Sequence, residues 1–427
     1  MKGYQKATVS LSALTLCCAI FLFVWANETA SLEGHRVVVC IPVYGQSLAL
    51  GEEAVRVTDF DSLNHNSGGR IVTQDMNYRF GYFDNSREKE FVKRLLHYDK
   101  RSFELSVYGM AEAMTRQLGE DTLVCIFPGG KGTTALAQLG KGSEPYQKFL
   151  EDIEKAYTKA TAKGWDFYIP AICWMQGESD ITDYPGTDYR QQLLNFYEDV
   201  NRDIRHITRQ HEDVRFICYQ PNAVTRAYRF RDDSYDCLEA GTPETLMELI
   251  RDDDRFWASG PTYPYTFARE AIHIDGISQK RLGYLEARSA LCIVRGGERF
   301  KGLTPADITV DGHDVLISFN VPVPPLVFDT MLVAAVRNYG FSVVGKDNRD
   351  RADSVRIEGT TVRISCSDSP TDCKVRYAIN GESMKSGKDR GPRGNLRDSQ
   401  GDAWTVDVDG DTYPQHNWCY QFDVPIP

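Results

Sequence analysis

Apolar and polar positions alternate in two different ways along this chain, and the change falls near residue 300. Up to about residue 295, short apolar runs are separated by longer segments with helical spacing. The runs Val37–Val43, Thr122–Phe127, Phe167–Trp174 and Val214–Tyr219 are rich in Val, Ile, Phe and Tyr. Runs of that kind predict strands buried on both faces. Between them, Val107, Met110, Ala111, Met114 and Leu118 recur at helical spacing, as do Phe149, Ile153, Ala156 and Ala160. Tyr189, Leu193, Tyr197, Val200 and Ile204 do the same, and a last amphipathic segment runs from Ile277 to about Cys292. Strands alternating with helices predict an α/β fold with a parallel sheet, helices on both faces, and a ligand site at the carboxyl ends of the strands.

After Arg295 the helical period is lost. Residues 308–318 read as two strands around Asp311-Gly312, and residues 355–365 as two more around Gly359. Val375–Ala378 and Trp418–Val424 add further strands, which together predict a β-sandwich. Its strands are interrupted by a basic, Gly-rich loop from Lys385 to Arg397. The expected division is a targeting segment at 1–30, an α/β domain at 33–296 and a β-sandwich accessory domain at 301–427.

The first six residues carry two lysines, and an uncharged apolar stretch of about twenty follows. This is the pattern of a signal peptide, with Ala26 or Ala30 as cleavage positions; a retained signal anchor is the alternative. Export to the cell surface, the periplasm or the medium is therefore expected. Membrane contact is expected only through that segment.

Lys plus Arg total 49 and Asp plus Glu 60, for a formal net charge of −11. Such a chain has no diffuse attraction for phosphate backbones, so nucleic acid is not an expected partner. Of the eleven cysteines, Cys40, Cys125, Cys173 and Cys218 sit in apolar runs and read as core thiols. Cys366 and Cys373 flank a turn-rich segment and read as a candidate disulfide across a hairpin. No Cys/His spacing suggests zinc, so no metal and no cofactor is expected. Asp407, Asp409 and Asp411 lack the rest of a calcium loop and read as a polar turn. Trp404, His416 and Trp418 read as core residues, with sugar stacking as the alternative.

Four segments stand where strands are expected to end. Gly45-Gln46-Ser47 follows the first and offers a hydroxyl, although the full G-x-S-x-G elbow is absent. Gly129-Gly130-Lys131-Gly132-Thr133-Thr134 follows the second; its glycines allow backbone N–H groups close to a substrate. The Walker order fails there, because Lys131 precedes Gly132. Trp174-Met175-Gln176-Gly177-Glu178-Ser179-Asp180 follows the third, with an amide donor at Gln176. Glu270-Ala271-Ile272-His273 precedes the last helix, with a carboxylate three residues before an imidazole.

Together these segments resemble the SGNH/GDSL hydrolase superfamily. The closest likeness is to its sialate O-acetylesterase and acetylxylan-esterase-like branch, over roughly residues 36–293. His273 followed by Gln279 and Leu282-Gly283 belongs to the same pattern. The resemblance implies a three-layer, flavodoxin-like α/β/α domain and metal-free removal of acyl groups from O-acetylated glycans. It implies Ser47 as nucleophile, His273 as general base and Glu270 as its orienting acid. The oxyanion hole would comprise the Ser47 N–H, the Gly132 N–H (Gly130 being the alternative) and Gln176. Gln46 and Glu178 would contact the sugar. The sequence departs from the family in having Glu270 where aspartate is usual, with Asp275 as a rival orienter. It also has Ala137-Gln138-Leu139 where a tryptophan is common. A non-catalytic glycan-binding or structural surface protein on the same fold is the alternative.

Overall fold

The computed structural model describes residues 35–74, 81–82, 103–182, 188–222, 241–268, 272–382 and 385–427. The targeting segment at 1–30 and Glu270 lie outside them. Ten strands build the α/β part: β1 (Val37–Cys40), β2 (Val43–Gly45), β3 (Ile71–Thr73), β4 (Gly81–Tyr82), β5 (Thr122–Cys125), β6 (Pro128–Gly130), β7 (Asp166–Tyr168), β8 (Ala171–Met175), β9 (Arg215–Gln220) and β10 (Phe256–Pro261). They form two five-stranded ladders, β4-β3-β5-β1-β7 and β10-β9-β8-β2-β6, parallel except for β4.

The two ladders are consecutive stretches of the same strands. The expected runs from Val37 and Phe167 are each divided in two, at Pro42 and Pro170, and the run from Thr122 is followed by a second strand that begins at Pro128. Proline has no N–H to give a ladder, so regular pairing lapses there. Single hydrogen bonds carry the sheet across: Ile41 N to Cys125 O, Val43 N to Phe127 O and Cys173 N to Pro42 O. Strands β3 and β10 extend the sheet beyond the four expected runs.

Seven α-helices accompany these strands among the described residues: α1 (Phe60–Asn66), α2 (Ser106–Thr115), α3 (Glu144–Thr161), α4 (Glu178–Thr182), α5 (Tyr189–Thr208), α6 (Thr242–Asp252) and α7 (Gly276–Val294). Successive residues of β8 point to opposite faces. Cys173 Sγ lies 3.6 Å from Met110 of α2, while the Trp174 ring lies 4.9 Å from that of Phe196 on α5. Helices therefore cover both faces. Cys40, Cys125, Cys173 and Cys218 are buried thiols, as expected.

After α7, short 3-10 turns and strands follow among the described residues: β11 (Thr304–Asp311), β12 (Asp314–Asn320), β13 (Val327–Phe328), β14 (Phe341–Val344), β15 (Ala352–Glu358), β16 (Thr361–Cys366), β17 (Lys374–Tyr377), β18 (Leu396–Arg397), β19 (Thr405–Val408), β20 (Asp411–Pro414) and β21 (Phe422–Pro425). All pair antiparallel; the largest sheets are β11-β12-β16-β15 and β14-β17-β21. The expected hairpins around Gly312 and Gly359 are present, with both glycines at positive φ. The strand expected from Trp418 starts only at Phe422. Cys366 and Cys373 are separate buried thiols, so the expected hairpin disulfide is not formed. Asp407 to Asp411 form the β19–β20 hairpin, where Asp407 accepts from the Thr412 hydroxyl. His416 is buried and accepts from Gly401 N–H, and Trp418 packs edge-on to Tyr263; both are core residues.

The C-terminal strands share a continuous apolar core with the α/β part. Gln220, at the end of β9, exchanges hydrogen bonds of 2.7 and 2.9 Å with the Gln421 backbone. Ser386 donates to Tyr265 O at 2.8 Å, and Lys388 Nζ lies 3.4 Å from Thr266 Oγ1. The basic loop thus leans on the segment that leads into His273.

Two buried carboxyls set a pH dependence. Glu104 accepts from Val57 N, Thr58 N and Thr58 Oγ1, which pins the chain after Ala54. Burial nevertheless pushes its pKa up to about 7, against Thr58 and Lys280. Glu286 of α7 is buried, which pushes its pKa up to about 7, with side-chain hydrogen bonding from Ser106 and Cys173 pulling the other way. Between the ordinary value of 4.5 and about 7, the folded chain holds protons that the unfolded chain has lost. Stability should therefore be full below about pH 4.5 as far as these groups go, and fall as pH rises to about 7, by at most roughly 3 kcal/mol per group. Urea midpoints should be higher at pH 5 than at pH 8, and Glu286→Gln should narrow that gap. An equal or wider gap in the variant contradicts this reading.

Candidate active site

Three of the four expected segments meet at one sheet edge. Gly45, the last residue of β2, is paired with Gly130 of β6 on one side and Met175 of β8 on the other. Ser47, Gly132 and Gln176 therefore leave the sheet side by side at its carboxyl edge. The approach is close enough to demand glycine. A Cβ on Gly45 would lie 1.9 Å from Met175 O, and one on Gly130, at φ +119°, would lie 1.8 Å from Gly45 O. Beneath the edge Tyr44 and Trp174 pack around Phe196, an aromatic layer that holds the two strand ends rigid.

Ser47 opens a run of turns from 47 to 53. Its carbonyl accepts from Leu50 N and Glu52 N, and the residue is 4% exposed. From α7, Gln279 Nε2 donates to Leu48 O at 2.9 Å, which ties the serine turn to the last helix. Lys131 N is committed to Gly45 O; Gly132 stands one residue further out, against the Glu52 carboxylate.

His273 lies on a narrow return of chain. Ala268 N donates to His273 O, and Asp275 N to Thr266 O. Its ring Nδ1 lies 3.1 Å from Glu53 Oε2, with both side chains largely covered. Glu53 is six residues after Ser47, in the same run of turns, and holds a left-handed φ of 64° that non-glycine residues rarely adopt. The structure thus brings the imidazole to the serine turn through a carboxylate that the sequence reading missed. Asp275, the rival orienter, is instead the N-cap of α7, accepting from Ser278 N at 2.8 Å. With Nδ1 facing Glu53, Nε2 is the nitrogen left for a reacting hydroxyl.

Gln176 and Glu178, expected to meet the reacting molecule, also have partners within the chain. Gln176 is fully buried, and its amide nitrogen lies against Asp180 Oδ2 (2.5 Å), Thr134 O (3.2 Å) and Gln46 Oε1 (3.4 Å). An amide group has two N–H donors, and these three acceptors share them. Glu178 is also buried, its carboxylate accepting from the Tyr219 hydroxyl at 2.6 and 2.7 Å. Burial raises its pKa, while Tyr219 and the nearby His273 pull it down. Both residues brace the turn after β8. Gln46 shares this work, its oxygen facing Gly177 N and Ser179 N, which leaves only its amide nitrogen for a ligand.

A parallel α/β sheet with a serine turn, an imidazole and a carboxylate gathered at its carboxyl edge is the arrangement of Ser–His–acid hydrolases. Comparison with known proteins bears on the class. Residues 70–218 match the family described as carbohydrate esterase, sialic acid-specific acetylesterase. The resemblance read from the motifs therefore holds over that stretch, and the class it carries is that of carboxylic ester hydrolases. The stretch includes Gly130, Gly132 and Gln176 but neither Ser47 nor His273. A carbohydrate acetylesterase from Xanthomonas citri has a similar fold, with a TM-score of 0.53 and 14% identity over 90% of this chain and 80% of that one. An Arabidopsis thaliana protein aligns with a TM-score of 0.42 and 16% identity, over 59% of this chain and 97% of its own. NanS aligns at 0.41 and 14%, over 62% and 98%. No curated protein matches the sequence significantly.

Proposed function

We propose that the protein is an exported carbohydrate O-acetylesterase that works through a Ser47 acyl-enzyme. The observation that carries this is the 3.1 Å contact between His273 Nδ1 and Glu53, which sets the imidazole against the turn that Ser47 opens. His273 Nε2 takes the hydroxyl proton as Ser47 Oγ attacks the ester carbonyl. The resulting oxyanion is held by the backbone N–H groups of Ser47 and Gly132. Collapse returns the proton to the departing sugar oxygen and leaves an acetyl group on Ser47. Water, deprotonated by the same nitrogen, then releases acetate. Gln176, which leaves the sheet at the same edge, is the third donor of this reading. Export rests on the sequence of residues 1–30, and the C-terminal sheets are read as a β-sandwich accessory domain.

Acetate release from O-acetylated glycans, acetylated sialic acids and acetylated xylan included, tests this reading. Release from at least one of them, abolished by Ser47→Ala, is the expected result. Saturable glycan binding without release from any would favour the non-catalytic alternative.

A further inference from the structure

Beside β14 and β17 a hollow of about 500 Å³ opens to solvent, lined by none of the residues of the Ser47 edge. Four arginines line it, Arg337, Arg376, Arg390 and Arg393, together with Asp350 and Glu382. The lining thus carries an excess of positive charge in a chain whose formal charge is −11.

The arginines are held in two ways. Arg393 donates to Ala334 O, Ala335 O and Gly391 O, which fixes its plane. Arg376 Nε lies 3.2 Å from Asp423, a fully covered carboxylate. Arg337 and Arg390 are looser, 4.0 Å from Asp350 and 3.7 Å from Glu382, and their side chains are 72% and 62% exposed. Those separations exceed hydrogen-bond length, and although Arg337 Nη2 also donates to Ala352 O at 3.5 Å, both forks keep donors for an incoming anion.

We propose that this hollow binds the carboxylate of an acidic sugar residue. A guanidinium fork matches a carboxylate with two parallel hydrogen bonds. Asp350 and Glu382 oppose a phosphate dianion but accept hydroxyl protons, and Ser342 and Asn380 in the lining add further hydroxyl partners. The volume suits one or two sugar rings, within the ordinary range of small-ligand sites. The site does not depend on the esterase reading. It gives the C-terminal sheets a task of their own: holding an anionic glycan on the same chain as the Ser47 edge.

The test is calorimetric titration of the full chain with glucuronic acid, N-acetylneuraminic acid, glucose and glucose 6-sulfate. Saturable binding of either carboxylated sugar, with none for glucose, is expected, and the tighter of the two names the source of the carboxylate. The combined variant Arg337→Glu, Arg390→Glu should weaken it at least about tenfold, because two forks are reversed in sign. Its melting temperature and its activity on a small acetate ester should match the parent, which separates lost binding from lost folding. Unchanged affinity in that variant, equal binding of glucose, or binding of the sulfated sugar alone would overturn the proposal, whatever becomes of the esterase assignment.

Discussion

Ser47→Ala is expected to lower kcat for a small acetate ester by about 10³- to 10⁶-fold, with KM little changed. The substitution removes one oxygen from a nearly buried residue at the end of β2. The turn is held by backbone bonds and by Gln279, so the fold should survive. What is lost is the covalent intermediate. The residual rate would come from the oxyanion donors acting on attack by water. His273→Ala should cost a comparable factor, since without a base the serine hydroxyl stays protonated. Steady-state kinetics on variants with parental melting temperatures provide the check.

Glu53→Gln is expected to lower kcat by about 10²- to 10⁴-fold, the range seen when the acid beside a catalytic imidazole loses its charge. Glutamine keeps the shape, but its amide can present an N–H to Nδ1 and favour the wrong tautomer. Glu53→Asp, which keeps the charge on a shorter arm, should recover part of the loss; a purely structural role for Glu53 would give no such rescue. Glu270→Gln, made in parallel, decides between the two carboxylates. A larger loss at Glu270 than at Glu53 would return the orienting role to the residue three positions before His273.

Much of the sheet was legible because residues buried on both faces leave unbroken apolar runs. The break between the two ladders was legible in principle as well, in Pro42, Pro128 and Pro170, which stand at one level of the sheet. Helix α6 was missed although Thr242-Pro243-Glu244 carries a helix-start signature, with proline in the first turn. At the site, Ser47 and His273 stood out by residue type and by their neighbours. Glu53 did not, because its meaning comes from a contact spanning 220 positions, and nothing local marks it except a backbone angle that the sequence does not display. The motif from Gln176 to Asp180 was found, but not the partners that its side chains have within the chain. Polar residues in such a turn read alike whether they face a ligand or brace the chain, so partners such as Thr134 and Tyr219 were not legible.

The central claim is that Ser47 and His273 act as one unit, and a double-mutant cycle tests it most directly. Rates of acetate-ester hydrolysis are measured for the parent, Ser47→Ala, His273→Ala and the double variant. Removing the second residue should cost little once the first is gone, so the double variant should fall within about tenfold of either single one. Losses that multiply, or a Ser47→Ala rate equal to the parent's, would contradict the account.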